Sequence, residues 1–265
     1  MTRPHSTIVT GSGSGIGRAI VHALAHDPDD PPQVIAALDS GYSEKVRQTR
    51  TGASVILEFS ADVTDEERIA EIFDDLATNH PPVLKVAHAA GVLQQGALAD
   101  TGLDEYSRVM GVNATGTFIV LRQTARTLRL QHEQGEHPGA IVTVSSNAAA
   151  VPRIGMAAYA ASKAAVSALS ANAALELASL GARCNTVAPG STDSPMQRSM
   201  WHDDDDRDRA RVIAGDPEAF RLGIPLGRIA DPRDIAEVVQ FALSDKARHM
   251  TMQEIVVDGG ASLRS

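Results

Sequence analysis

Short apolar runs alternate along the chain with longer stretches of helical periodicity. The apolar runs predict strands over 7–10, 34–39, 54–59, 83–88, 140–145, 182–188 and 254–258. Most are apolar throughout rather than alternating, which is the pattern of strands covered on both faces. Between them, apolar positions at helical spacing predict helices over 15–25, 66–79, 103–129, from the Tyr159 region to about 179, and over 234–242. This β-α-β alternation predicts one α/β domain spanning 1–265, a Rossmann-type doubly wound parallel sheet of seven strands with helices on both faces. Two segments break the rhythm. The proline-broken acidic stretch 27–32 reads as a solvated loop, and 191–226 reads as a lid of the length that closes over a site.

Composition narrows the partners. The 265 residues are 43% hydrophobic but only 3% aromatic, which suits aliphatic helices packed on a parallel sheet. The net charge is −9 and no basic stripe is visible, which argues against nucleic acid or an anionic membrane as partner. There is no apolar run of membrane-spanning length and no secretory leader pattern. The single cysteine, Cys184, cannot form an internal disulfide and reads as a small buried hydrophobe, so the expected location is cytoplasmic. Four consecutive aspartates at 203–206 cannot all face one ion; they read as a solvated or helix-starting run, and no metal is expected.

The chemistry concentrates in a few places. Thr10-Gly11-Ser12-Gly13-Ser14-Gly15-Ile16-Gly17 lies between a strand and a helix, where backbone N–H groups and a helix N-terminus can face a pyrophosphate. Gly11 would make the turn, Gly15 would let a ligand approach, and Gly17 would let the helix pack on the sheet. Asp39 ends the second strand, where a carboxylate can accept from both ribose hydroxyls and would repel a 2′-phosphate. With Ser14 and Ser40 rather than basic residues nearby, these positions point to NAD. Tyr159 and Lys163 stand four apart on a predicted helix and so share a face. An ammonium beside a phenol favours the phenolate, so the Tyr159 pKa is expected to fall toward neutrality, giving a general base for an alcohol proton.

Taken together, Thr10-Gly11-x-x-x-Gly15-Ile16-Gly17, Asp62-Val63, Ala90-Gly91, Asn113, Ser146, Tyr159-x-x-x-Lys163 and Pro189-Gly190 resemble the short-chain dehydrogenase/reductase family over essentially the whole chain. The resemblance implies that Asn113 holds a water of a proton relay and that Ser146, thirteen residues before Tyr159, bonds the substrate oxygen, with Ser145 as the neighbouring alternative. It implies that Tyr159 is the acid/base and that Lys163 lowers its pKa and binds the nicotinamide ribose. The implied dinucleotide contacts are Gly11, Ser14, Gly15, Ile16, Asp39, Asp62, Val63, Ala90, Gly91, Tyr159, Lys163, Pro189, Thr192 and Ser194. One departure stands out. The family's Asn-Asn-Ala-Gly is His88-Ala89-Ala90-Gly91 here, so the central strand should lose some support, and His88 reads as packed rather than catalytic.

Segments 152–159, 189–198, 222–230 and 255–260 further resemble the 2,3-dihydro-2,3-dihydroxybenzoate dehydrogenases of siderophore-type secondary metabolism. That resemblance implies NAD-dependent oxidation of a small anionic cyclic substrate to an aromatic catechol acid, by a homotetramer. The amine analogue, 2,3-dihydro-3-hydroxyanthranilate, is the alternative substrate. A carboxylate needs a cation, and Arg153, between Ser146 and Tyr159, is either that cation or a surface or subunit-contact arginine. Met156, Gln197 and Arg198 are the other expected substrate contacts, with Met196 and Trp201 beside them in the lid. Two rival readings remain, a dinucleotide-binding regulator without turnover and an NADPH-dependent reductase of a keto-ester or acyl-carrier substrate. The complete Asn113, Ser146, Tyr159 and Lys163 set opposes the first, and Asp39 opposes the second.

Overall fold

The computed structural model describes residues 3–43, 46–201 and 205–263. In chain order the elements are β1 Ser6–Thr10, α1 Gly15–Ala25, β2 Val34–Asp39, β3 Val46–Thr51, β4 Ser54–Ser60, α2 Glu66–Asn79, β5 Val83–His88, α3 Leu103–Met110, α4 Gly116–Glu133, β6 Ala140–Val144, α5 Ala157–Leu177, β7 Arg183–Pro189, α6 Pro195–Arg198, α7 Asp205–Ala214, β8 Gly215–Asp216, β9 Arg221–Leu222, α8 Pro232–Leu243 and β10 Glu254–Val257. The main sheet runs β10-β7-β6-β5-β1-β2-β4-β3. All seven expected strands are present and parallel, and the sheet has an eighth. The extra strand, β3, pairs antiparallel with β4, with Arg47 opposite Glu58 and Arg50 opposite Val55. Its sequence is polar because it closes a sheet edge, and an apolar-run criterion passes over it.

Strand alternation divides the core between the two faces. Ile8, Leu38, Leu57 and Phe59 point to the side covered by Ile72 and Phe73 of α2 and Val120 of α4. Val9, Ile35, Val142 and Val187 point to the side covered by Ile20 and Leu24 of α1 and Ile235 and Val239 of α8. Caps set the helix starts. The Asp65 carboxylate accepts from the Arg68 N–H at 2.9 Å, and Asp231 and Asp234 form a reciprocal box around Pro232.

The expected helix over 103–129 departs from regularity in its middle. Between α3 and α4, residues Gly111–Thr115 form a wide π turn, closed by the Gly116 N–H donating to the Gly111 carbonyl. Such a turn inserts one residue and re-aims the side chains around it; here it carries Asn113. Strand order reverses at β1, which lies between β5 and β2. A crevice at the carboxyl ends of the strands is the consequence of that reversal.

Candidate active site

Each carboxyl strand end at the reversal delivers one piece of the site. After β1, Gly11 has φ +67°, and a Cβ there would lie 2.7 Å from the Ala90 backbone after β5. A Cβ on Gly17 would lie 2.0 Å from the Gly11 carbonyl oxygen, so Gly17 lets α1 pack on its own turn rather than on the sheet. Ser14 caps α1 without a side-chain bond, and no acidic residue occupies the first turn. The N–H groups of that turn are therefore free of side-chain acceptors, a fit for a phosphate. After β2, the Asp39 carboxylate accepts the Gly13 N–H at 2.9 Å on one oxygen and the Gly41 N–H at 2.8 Å on the other. Both oxygens keep a lone pair for a diol. This cradle fits a dinucleotide. Asp62 is exposed, and one of its oxygens is held by the Thr64 N–H and hydroxyl. Val63 is buried against the Gly116 position of α4.

A cavity of about 370 Å³ opens beside the cradle, lined by Ile16, Gly91, Ser146, Tyr159, Lys163, Pro189, Thr192 and Ser194. Arg153, Met156, Gln197 and Trp201 also line it. Tyr159 is buried, and Ser146 lines the same cavity beside it. Ser145 also lines the cavity, but its hydroxyl is already engaged, donating to the Lys163 carbonyl at 2.9 Å and lying 2.9 Å from the Ser167 hydroxyl.

The expectation of a phenol lowered by Lys163 is corrected. Burial raises the Tyr159 pKa; the Ser146 hydroxyl and the Arg153 charge pull the other way. The Lys163 ammonium lies 5.9 Å from the ring centroid, donates to the Val144 carbonyl at 2.9 Å, and is itself lowered to about 8 by burial.

Asn113 is buried, and its side chain is fully engaged. Its Oδ1 accepts the Val92 N–H at 2.8 Å, and its Nδ2 donates to the Val92 carbonyl and the Ser162 hydroxyl, both at 2.9 Å. Ser162 in turn donates to the Tyr159 carbonyl at 2.7 Å. Asn113 thus ties the strand end after β5 to the helix that carries the phenol.

His88 behaves as the packed residue it was read to be. Thr117 donates to the Asn113 carbonyl at 2.5 Å, so its oxygen accepts from His88 Nε2 at 3.0 Å, and Thr10 donates to Nδ1 at 2.8 Å. The network assigns this tautomer. The Thr10 oxygen also accepts the Ala89 and Ala90 N–H groups at 3.2 Å each, the support that Ala89 itself cannot give. Burial first, and the Lys163 charge second, lower the His88 pKa to about 3 and keep the ring neutral.

In the lid segment, Arg198 departs from expectation. It donates to Asp193 at 2.7 Å and borders a separate hollow with Arg18 and His22, not the Tyr159 cavity. The short helix α6 turns its side chain outward while Gln197, buried, faces in. The aspartate run lies partly outside the described residues, with α7 starting at Asp205; no metal-binding group of His, Cys, Asp or Glu occurs among the described residues. Cys184 is buried, and its thiol is pushed up to about 12 by burial. No helix among the described residues is long and apolar enough to cross a membrane.

One cavity residue was not expected from the sequence. Arg221 of β9 lines the same space as Arg153 and Tyr159, and donates to the Ser191 hydroxyl at 3.0 Å. It stands immediately before the matched segment beginning at Leu222, and its position as a cation in the lid was the available signal.

The chain is similar over nearly its whole length to known proteins. A family model described as enoyl-(acyl carrier protein) reductase matches residues 11–262. The chain is 40% identical over 255 residues to a 2,3-dihydro-2,3-dihydroxybenzoate dehydrogenase of Escherichia coli, covering 96% of each. It is 40% identical over 261 residues to a protein of the same name from Bacillus subtilis, covering 96% of this chain and 95% of the relative. Among solved structures, the ligand-free aldohexose dehydrogenase of Thermoplasma acidophilum superposes with a TM-score of 0.82 at 26% identity, covering 99% of this chain and 96% of that one.

Proposed function

The chain belongs to the short-chain dehydrogenase/reductase family, and from that premise we propose that it oxidises 2,3-dihydro-2,3-dihydroxybenzoate to 2,3-dihydroxybenzoate with NAD. The observation that carries the reading is one cavity lined by a buried phenol, a serine, a buried lysine and a half-buried guanidinium, Tyr159, Ser146, Lys163 and Arg153. That is the equipment for removing a proton from an alcohol on a ring that bears a carboxylate, the substrate named for the relatives.

NAD, held by the turn after β1 and by Asp39, would supply the hydride acceptor for the carbinol carbon. Ser146 holds the substrate hydroxyl and Tyr159 takes its proton. Lys163 would hold the nicotinamide ribose, and its ammonium keeps a positive charge within reach of the phenol. Asn113 fixes the helix on which Tyr159 sits, through Ser162. The ketone released by these steps lies next to a ring diene and tautomerises to the catechol, which makes the oxidation one-way. The described residues of the expected lid, among them Gln197, Trp201 and Arg221, line the cavity and would shield it from water.

Asp39 is assigned to the adenosine ribose and selects NAD, because its carboxylate would repel a 2′-phosphate. Dinucleotide titrations should show strong preference for NAD over NADP, and Asp39→Ala with Ser40→Arg should narrow it. Equal use of both by the unmodified protein would remove the assignment. The outer face of α5 exposes Ala161, Ala164, Ala168, Ala171 and Leu175, an apolar surface that supports a homotetramer, and a single buried thiol suits the cytoplasm.

The deciding experiment is NADH formation from the diol acid, run beside its amino-hydroxy analogue. Turnover of the diol acid is expected to dominate. Absence of turnover with either acid, in protein that binds NAD, would favour a regulator.

A further inference from the structure

We propose that Arg221 is the second arm of a two-arginine clamp, closing on the substrate carboxylate from the lid while Arg153 holds it from the loop before α5. The proposal rests on the reading above, and adds a residue and a geometry to it.

The charge distribution of the cavity asks for an anion. Its charged lining residues are Arg153, Lys163, Arg211, Arg221, Asp208 and Asp216. Asp216 is taken by Arg211 at 2.8 Å and by the Ala219 N–H. Asp208 also has an interaction partner, and Asp258, next to the cavity loop, is occupied by Asn147 and by the N–H groups of Gly260 and Ser262. Arg153 therefore reaches it only through the Asn147 amide, whose oxygen accepts from Arg153 at 2.9 Å. Among the described residues neither Arg153 nor Arg221 forms an ion pair with a carboxylate, and Asp258 and Asp216 act on them only from a distance, although both arginines are half-buried.

Donors are also left over. Arg153 Nε is buried with no partner. Arg221 donates once, to a hydroxyl. The buried Trp201 indole N–H, lining the same cavity, has no partner either. Burial first, then the neighbouring Arg153 charge, lower the Arg221 guanidinium against the opposing pull of Asp216, so Arg221 sits within reach of the Arg153 charge. A carboxylate between them would relieve that repulsion and satisfy the donors, and an arginine fork suits its two oxygens. The backbone fits as well. Arg221 is fixed on the β8–β9 hairpin opposite Asp216, so a carboxylate bridging it to Arg153 would pin the hairpin over Tyr159.

The test reads binding, so it does not depend on turnover. Affinities of 2,3-dihydroxybenzoate and of uncharged catechol are measured for the NADH complex of the parent, R221M, R221K and R153M. R221M should weaken the acid about 10- to 100-fold, the usual scale of a lost charge-assisted bond, and leave catechol within about twofold. R221K should recover part of the loss. R153M/R221M should lose less than the product of the single losses, because both arms grip one group. Equal losses for acid and catechol would make Arg221 a support of the hairpin and overturn the clamp, as would an unchanged acid affinity in R221M. Should R221M fail to fold, R221K decides by the same comparison. If the acid binds through Arg221 while the diol acid is not oxidised, the functional reading fails and the clamp stands. If the diol acid is oxidised and R221M binds normally, the clamp alone fails.

Discussion

Tyr159 and Lys163 are both buried, and burial moves them in opposite directions, the phenol up and the ammonium down to about 8. Each is pushed toward its neutral form. An oxidation that needs the phenolate must then speed up as pH rises through neutrality, since the base form is the minor one. The Arg153 charge lowers the phenol, so its removal raises the Tyr159 pKa, and the rising limb of the pH–kcat/KM profile of Arg153→Met should move to higher pH. A limb that stays put or moves down would contradict the coupling. Tyr159→Phe should cost ~10²–10⁴-fold in kcat with dinucleotide affinity retained. The pairing of Tyr159 with Lys163 was legible from their spacing on one helix, and Ser146 was added by the family resemblance; all three line one cavity. The direction of the Tyr159 shift was not legible, since depth of burial belongs to the assembled fold. Arg198 and Arg221 were misjudged or missed for a related reason. In a lid without long periodic elements, the side a residue faces follows from how the chain returns.

Among elements, the π turn at Gly111–Thr115 shows what periodicity cannot convey. An added residue per turn leaves composition unchanged, so 103–129 reads as one helix, yet the turn determines where Asn113 points. The polar strand β3 escaped for the opposite reason, because Val46 is its only apolar residue and no apolar run forms. The Asn113 side chain pairs with both the N–H and the carbonyl of Val92. Asn113→Ala would leave those groups without partners, and each buried orphan costs about 1–3 kcal/mol. The variant should therefore melt at lower denaturant concentration than the parent. Its kcat should also fall, through the Ser162 link to the Tyr159 helix. An unchanged denaturation midpoint would mean that the Val92 segment is held elsewhere. By contrast α2 was legible to its ends, since its cap, amphipathic face and length all agree.

For the whole molecule, alternating strands and helices were enough to foresee the parallel sheet, and the strand reversal beside β1 places the site where such sheets place it. The two borders of that sheet are not alike. One is the four-residue β10; the other is β3, whose Arg47 and Arg50 are exposed. Its outer backbone groups could template pairing with another chain, and charged, polar side chains on the rim oppose that approach, Arg50 and Arg47 among them, the latter facing Glu58 at 3.8 Å. Arg47→Val with Arg50→Val should raise concentration-dependent light scattering while dinucleotide binding stays near parental. No increase in scattering would show that the rim is protected by other means. The strand that was hardest to read as a strand is, on this account, the one that keeps crowded copies of the protein from fusing edge to edge into aggregates.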